Sequence, residues 1–421
     1  MKTLVRKHYH WLVAAIIFCE MFVYGGIVTS ISIYTIPITQ ELGVGRGPFT
    51  LAEVPYGVLS FISAMGTGWL LRKFGYKILT IGSLMLTSAG LMIMAVSPDL
   101  VGHGIGRGLI GLGYGACFTA GCVWIIKQWF HGRQGLVVGA VSMASGFGGS
   151  AISFVFPRLI VAFNWRTALL IEGILPIAIA FLYLLIHNAP EKIGLEPYGK
   201  MEKVTKKIRQ ESNWEGFPMK EQYRNPLLYI MCVATLLSAM CVYATHTVLN
   251  PHFQDNGYSQ TAAASYSSML MLIVAFVKLL LGWISDRYGA KPVALMCLGC
   301  AAIGQWMLSD VSNPGLSYIG VGLFAVGLCL TSIAIPLIAF PLFGYRGSAE
   351  VNGIVVGMAT LAHLITAPIC NFIFDYIGSY SPSFKVAAVL EIGLIAVYLI
   401  MFAMADKQRK KELDRKNIGC P

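Results

Sequence analysis

The sequence predicts an all-α membrane protein with twelve transmembrane helices, arranged as two six-helix, pseudo-symmetric halves. The chain is 56% hydrophobic and only 12% charged, which is about half the charged share of an ordinary soluble domain. Long runs with almost no charge recur along it, as in 11–36 and 226–249. Each run exceeds the ~20 residues that a helix needs to cross a bilayer. One loop sequence also occurs twice, once in each half of the chain.

Apolar runs and the polar residues between them define the twelve spans. They are 11–36, 49–71, 77–96, 100–126, 135–162, 166–187, 226–249, 262–285, 291–309, 314–341, 350–376 and 382–405. The long polar segment after the sixth span divides the chain into an N-terminal half, 1–187, a linker loop, 188–225, a C-terminal half, 226–405, and a basic tail, 406–421. The run from Trp11 is too long for the apolar part of a cleaved signal peptide, so we expect it to be a retained first helix.

The basic residues predict the orientation of the spans. With the N-terminus in the cytoplasm, the loops and tails on the opposite side contain only Arg46, Arg166 and Lys385, and most other Lys and Arg lie on the cytoplasmic side. This imbalance obeys the positive-inside rule, so both termini are expected to be cytoplasmic. The net charge of +11 therefore reflects membrane topology. Because it is spread over many short loops, it does not indicate nucleic-acid binding.

The ten cysteines do not indicate a metal or redox site. Cys297 and Cys300 have the spacing of a redox or metal pair, but they lie in an apolar run without a nearby histidine or second pair. Small apolar packing residues are the simpler interpretation. We therefore expect no metal and no cofactor.

A short motif after the second span is repeated after the eighth. Gly68–Lys77 reads GWLLRKFGYK and Gly282–Lys291 reads GWISDRYGAK, and the two align without a gap. A second pair, Phe130–Arg133 and Phe343–Arg346, recurs at nearly the same separation, close to half of the chain length. A separation that recurs at two places predicts a tandem of two related halves.

The repeated loop resembles the signature motif of the major facilitator superfamily, although Arg72 replaces the usual aspartate in the first copy. More narrowly, segments 129–136, 165–166, 190–197 and 251–259 resemble the oxalate:formate antiporter and monocarboxylate transporter group. The resemblance implies the major facilitator fold and secondary transport. The motif residues to which it gives structural or gating roles are Gly68, Arg72, Gly75, Arg107, Arg133, Gly282, Asp286, Arg287, Gly289 and Arg346.

Lys278 is the foremost candidate for substrate binding. It lies eight residues before Asp286, hence about 12 Å along the helix from the loop, and an ionisable group at that depth is a functional candidate by default. In the resembled group this position commonly holds the arginine that binds a substrate carboxylate. A lysine can neutralise a carboxylate but lacks the bidentate fork of arginine. A structural ion pair and a lipid contact are the alternatives.

The resemblance also bears on the charge of the substrate. The oxalate exchanger has a second cation in span eleven, and the corresponding position here falls at or near Ala359. The aromatic residues that enclose oxalate in span ten are replaced by Leu328 and Ser332. One cation in an apolar cavity suits a monocarboxylate better than oxalate.

Glu20, about nine residues into the first span, is the candidate for proton coupling, because burial favours the protonated carboxyl. A static ion pair with Lys278 or Arg107 is the alternative. Arg107 has two interpretations itself, a structural contact between helices or a contact with substrate.

Several uncharged polar residues are further candidates for the substrate cavity. His246 and Asn250 are one helical turn apart and would share a face in span seven. His363 in span eleven would join them, and either histidine could accept a proton. Helix-contact or packing roles are the alternatives. The remaining candidates for contact with the substrate are Tyr24, Tyr34 and Tyr114.

The function that the resemblance implies is secondary transport of a small organic anion, most simply a monocarboxylate, by alternating access and with coupling to protons. The alternatives are an anion exchanger of the oxalate/formate type, a transporter of a larger organic acid, and a membrane sensor. The sequence contains no catalytic cluster, so we do not expect an enzyme. The expected partners are the anion, protons or a counter-anion, and the lipid bilayer, for a monomer in the plasma (inner) membrane.

Overall fold

A computed structural model describes residues 2–117, 120–130, 134–198, 219–344 and 348–418. In this part of the chain the structure is helical, apart from one isolated β-bridge between Phe130 and Tyr198. The helices before the linker are α1 (Lys2–Leu42), α2 (Arg46–Leu51), α3 (Val54–Val96), α4 (Leu100–Cys117), α5 (Ala120–Trp129), α6 (Gln134–Ala162) and α7 (Trp165–Tyr183). A single 3-10 turn, Pro190–Ile193, follows α7.

The second set of helices begins near the end of the linker. Its members are α8 (Met219–Gln222), α9 (Pro226–His246), α10 (Leu249–Asp255), α11 (Gln260–Tyr288), α12 (Ala290–Leu308), α13 (Pro314–Cys329), α14 (Ile335–Phe343), α15 (Ser348–Ile377) and α16 (Ser381–Ile418). A π-helical segment, Leu330–Ala334, joins α13 to α14. The predicted basic tail continues α16 as helix as far as Ile418.

Ten of the described helices contain segments that are long and apolar enough to cross a membrane. The first part of α3 and the pair α4 and α5 occupy the other two predicted spans, 49–71 and 100–126. The second and third predicted spans follow one another in α3. Its helical geometry is broken between them at Gly75, where φ is 73°. Gly289, at the equivalent place in the repeated loop, has φ of 85°. Only glycine adopts this backbone conformation readily, which explains why the repeat has glycine at both positions.

The described helices form two compact units. The first comprises Met1–Lys203, Val248–Ala275 and Asn371–Gly378, so it includes two segments from the C-terminal half of the sequence. The second comprises Val204–Thr247, Phe276–Cys370 and Ser379–Pro421.

Glycines allow the helices of the first unit to pack closely. A Cβ on Gly148 of α6 would lie 1.7 Å from the carbonyl oxygen of Phe22 on α1. A Cβ on Gly106 of α4 would lie 2.5 Å from the carbonyl oxygen of Gly90 on α3. Small residues at membrane-helix interfaces permit such close backbone contact. The second unit also contains a close helix contact at a glycine. A Cβ on Gly327 of α13 would lie 2.5 Å from Ala301 of α12.

Candidate functional site

Three helical elements of the second unit bring polar side chains together around Tyr243. The Tyr243 ring on α9 packs edge-on against the His363 ring on α15, with 4.6 Å between their centroids. Tyr243 also forms a hydrogen bond with Thr331 in the π-helical segment. His246, one turn beyond Tyr243, interacts electrostatically with His363. Predicted residues of spans seven and eleven therefore meet, together with Tyr243 and Thr331, which the sequence had not indicated.

Lys278 lies on α11 in the same unit, half-buried, and interacts electrostatically with Cys329. Cys329 immediately precedes the π-helical segment that contains Thr331. Lys278 therefore lies near the start of this segment, and Thr331 within the segment contacts Tyr243, which packs against His363. Because π-helical turns inside α-helices change the direction of the side chains that follow and often occur at functional sites, this polar strip is the structure's candidate substrate face.

The position that corresponds to the second cation of the oxalate exchanger is apolar. Ala359 packs with Ala239 and Ala362 in a small cluster, and Leu236, Met240 and Tyr243 border it. Tyr243 therefore joins the polar strip to a small apolar patch.

Asn250 does not share a helix with His246. The helix α9 ends at His246, and Asn250 lies in the next helix, α10, because Val248 departs from helical geometry with φ of −112° and ψ of 7°. The expectation that the two residues face the same way on one helix is therefore wrong. Asn250 belongs to the first unit, where its side-chain oxygen accepts a hydrogen bond of 2.6 Å from Gln254.

Glu20 is fully buried in the first unit. Its Oε2 atom accepts hydrogen bonds from Tyr183 on α7 and, at 3.0 Å, from Tyr76 on α3. Its Oε1 atom has no hydrogen-bond partner among the described residues. Neither tyrosine was indicated by the sequence. This arrangement can hold a proton, because a neutral carboxyl is far less costly to bury than a carboxylate.

Arg107 forms an ion pair with Glu53, which immediately precedes α3. The other oxygen of Glu53 lies 2.6 Å from Nε2 of His103, and the Arg107 guanidinium lies over the Tyr56 ring at 4.4 Å. These contacts join α3 to α4, so the structure supports the structural interpretation of Arg107. Glu53 was not predicted as a site residue, because it lies near the start of the predicted span 49–71, where a charge does not by itself indicate a site.

The three predicted tyrosines of spans one and four pack inside the first unit. Tyr24 is fully buried, and its ring lies edge-on to that of Tyr114 with centroids 5.9 Å apart. Tyr34 is also fully buried and donates a hydrogen bond of 2.9 Å to Oε2 of Glu172. The sequence analysis did not single out Glu172, although a carboxylate inside an apolar span is the signal that had drawn attention to Glu20.

The structure describes some of the predicted motif residues but not all of them. Lys77 donates its backbone N–H to Asn188 at 2.8 Å, and this anchors the first copy of the loop to the start of the linker. Arg72 and Arg287 are exposed. Gly68 and Gly282 lie within α3 and α11. Arg133, Arg346 and the side chain of Asp286 lie outside the described part of the chain.

Known proteins resemble this chain in sequence and in structure. The family model described as Major Facilitator Superfamily matches residues 13–349 and 231–419. Human monocarboxylate transporter 11 is 23% identical over 352 residues, which cover 80% of this chain and 70% of the relative. The nitrite extrusion protein of Bacillus subtilis (strain 168) is 20% identical over 382 residues, covering 90% of this chain and 91% of the relative.

The structural comparison agrees. The crystal structure of a variant of the nucleoside transporter NupG superposes with a TM-score of 0.75 at 12% identity, covering 93% of this chain and 99% of that chain. At this identity the likeness speaks for the fold alone. The chain belongs to the Major Facilitator Superfamily, with that family's twelve-helix fold, and is a multi-pass membrane transporter rather than an enzyme.

Proposed function

We propose that this transporter moves a small organic anion, most simply a monocarboxylate, and that Lys278 binds the carboxylate. The observation that carries the proposal is the position of Lys278, which is half-buried within a predicted span and lies near Cys329, beside the segment that belongs to the polar strip of Thr331, Tyr243 and His363. A charge within the bilayer is costly unless it serves a polar site or a partner. The relatives reported above are named a monocarboxylate transporter and a nitrite extrusion protein, and monocarboxylates and nitrite are anions.

In the proposed cycle the carboxylate meets Lys278, and polar groups at Tyr243, His246, Thr331 and His363 orient the rest of the substrate. Alternating access then exposes the site to either side of the membrane in turn. We propose that Glu20 carries a coupling proton, since it is a fully buried carboxyl with one unpartnered oxygen. The chain would act as a monomer in the plasma membrane, with both termini in the cytoplasm, as the positive-inside rule predicts.

Exchange of one anion for another is the second candidate. The resemblance to the oxalate:formate group favours it, but the apolar packing of Ala359 argues against a dianion such as oxalate. Simple exchange requires no proton site. A proton gradient that fails to drive accumulation of a bound monocarboxylate would therefore favour the exchanger.

The first test is a thermal-shift screen of the purified protein with lactate, benzoate, oxalate and glucose, because a ligand that binds the folded state raises its melting temperature. We expect lactate or benzoate to stabilise the wild-type protein, and Lys278→Ala to lose that shift. Lys385→Ala, which removes an exposed lysine from the start of α16, is the matched control and should keep it. Stabilisation by glucose alone would overturn the proposal.

A further inference from the structure

Glu172 is a second fully buried carboxyl in the first unit, on α7. Its Oε2 atom accepts a hydrogen bond from Tyr34, and Ser30 on α1 also interacts with the carboxyl, but no described residue meets its Oε1 atom in hydrogen-bond geometry. An ionised carboxylate with an unpartnered oxygen is costly to bury, and a proton on that oxygen removes most of the cost. The geometry of Glu172 therefore suits a group that can hold a proton.

With Glu172 and Glu53 both ionised and His103 neutral, the cluster has two negative charges and one positive charge. The cation that interacts with Glu172 is Arg107, and Arg107 already forms an ion pair with Glu53. The Arg107 guanidinium thus attracts two carboxylates, those of Glu172 and Glu53. Nε2 of His103 lies 2.6 Å from the Glu53 carboxylate. Two carboxylates that share one positive charge do not both ionise readily, so the occupancy of a proton in this cluster follows pH.

The cluster has a connection to the surface that Glu20 lacks. The Glu53 side chain is 14% exposed, and it lies before the first turn of α3, on the side of the unit opposite the linker. The Arg166–Glu41 ion pair, 2.9 Å long, marks the same end at the start of α7 and the end of α1. By contrast, Glu20 and its partners Tyr76 and Tyr183 are all fully buried.

We infer that Glu172 is a proton-binding site that exchanges with the side of the membrane opposite the linker. The titratable and charged groups that face it are Tyr34 from α1 and Arg107 from α4, with Glu53 and His103 beyond Arg107. The inference rests on the proposed function, because a proton bound here would drive transport only if the chain is a proton-coupled transporter.

Binding and release of that proton would change contacts between three spans. Without the proton, Glu172 attracts Arg107 and takes the Tyr34 hydroxyl as donor, so α7 is held to both α4 and α1. When Glu172 is protonated, Arg107 remains paired with Glu53 alone, and the electrostatic attraction between α7 and α4 weakens. The predicted tyrosines Tyr24 and Tyr114 belong to the same spans, α1 and α4, so this change would reach the residues expected to line the N-terminal side of the substrate path.

The test is infrared spectroscopy of the purified protein over a pH series, in which protonated carboxyls have their own carbonyl band. It requires no substrate. We expect Glu172→Gln to remove one pH-dependent carboxyl band and the matched variant Glu20→Gln to leave that band in place. An identical set of bands in wild type and Glu172→Gln at every pH would overturn the inference.

A second variant tests the inference even if Glu172→Gln does not fold. Tyr34→Phe keeps the carboxyl but removes one of its hydrogen-bond donors, so the pH range over which the Glu172 band appears should change. An unchanged titration in Tyr34→Phe would also overturn the inference. These outcomes are separate from the proposed function, which fails instead if no anion shifts the melting temperature of the wild type.

Discussion

Arg46 holds Asp255 in a bidentate ion pair, with Nη1–Oδ2 and Nη2–Oδ1 distances of 2.5 and 2.7 Å. The two residues come from opposite halves of the sequence, yet both belong to the first compact unit. Asp375, also from the C-terminal half, accepts hydrogen bonds from the backbone N–H groups of Arg46 and Gly47 at 3.1 and 2.7 Å. The guanidinium also lies over the Phe374 ring at 4.0 Å. The first turn of α2 therefore binds residues near the ends of α10 and α15.

We expect Arg46→Ala to destabilise the first unit. The side chains of Arg46 and Asp255 are only 13% and 22% exposed, so loss of the pair should cost about 1–2 kcal/mol, near the low end for a charged hydrogen bond. The measurement is the melting temperature of the purified protein, which should fall by a few degrees. The charge-reversed double variant Arg46→Asp/Asp255→Arg should recover part of the loss. A melting temperature equal to that of wild type in Arg46→Ala would contradict the prediction.

Glu53→Gln should be more damaging than its partial exposure suggests. It leaves the Arg107 guanidinium, 4% exposed, without its direct ion-pair partner and with only the less direct attraction of Glu172. Removal of one partner of a buried ion pair costs on the order of 3 kcal/mol. The double variant Glu53→Gln/Arg107→Gln removes both charges and should be less destabilised than the sum of the two single variants. The three melting temperatures provide the check, and strict additivity would show that the pair is not coupled.

Gly148→Ala should disrupt the contact between α1 and α6. The new Cβ would lie 1.7 Å from the Phe22 carbonyl oxygen, so the helices must separate, at a cost of about 3 kcal/mol or more. Gly139 on the same helix is the matched control, because a Cβ there meets no atom within 4 Å. Gly139→Ala should be neutral or stabilising by up to about 1 kcal/mol. Equal melting temperatures for the two variants would refute the packing argument.

Ala359→Lys should change substrate selectivity. It introduces a second positive charge beside Ala239 and Ala362, so a dianion should gain roughly tenfold in affinity relative to a monoanion. The measurement is the ratio of oxalate to lactate dissociation constants in wild type and variant. If that ratio does not move while the variant remains folded, Ala359 is not near the bound anion.

Glu20→Gln should separate transport from proton coupling. A neutral amide cannot release a proton, so we expect the variant in proteoliposomes to lose accumulation of lactate driven by a pH gradient while it retains exchange of lactate across the membrane. The two assays are run on one preparation, which controls for the amount of folded protein. Normal gradient-driven accumulation in this variant would exclude Glu20 as the coupling residue.

Sequence patterns that depend only on residues close together in the chain predicted the fold well. A span needs only a long enough apolar run, and the repeated loop needs glycine at Gly75 and Gly289 because the backbone there has positive φ. Both features are set within a few residues, so they can be read from the chain. The helix break between His246 and Asn250 was missed, because the three residues between them, Thr247, Val248 and Leu249, include no proline or glycine to mark it.

The pairing of charged and polar side chains was decided by the tertiary structure. Glu20 binds Tyr76 and Tyr183, 56 and 163 residues away, and Arg46 binds Asp255, 209 residues away. The sequence by itself determined that this protein is a membrane transporter with the major facilitator fold and which ionisable residues lie inside its predicted spans. Only the packing of helices decided which of those residues meet, because partners so distant in the chain are brought together by the surfaces of several helices at once and leave no local pattern.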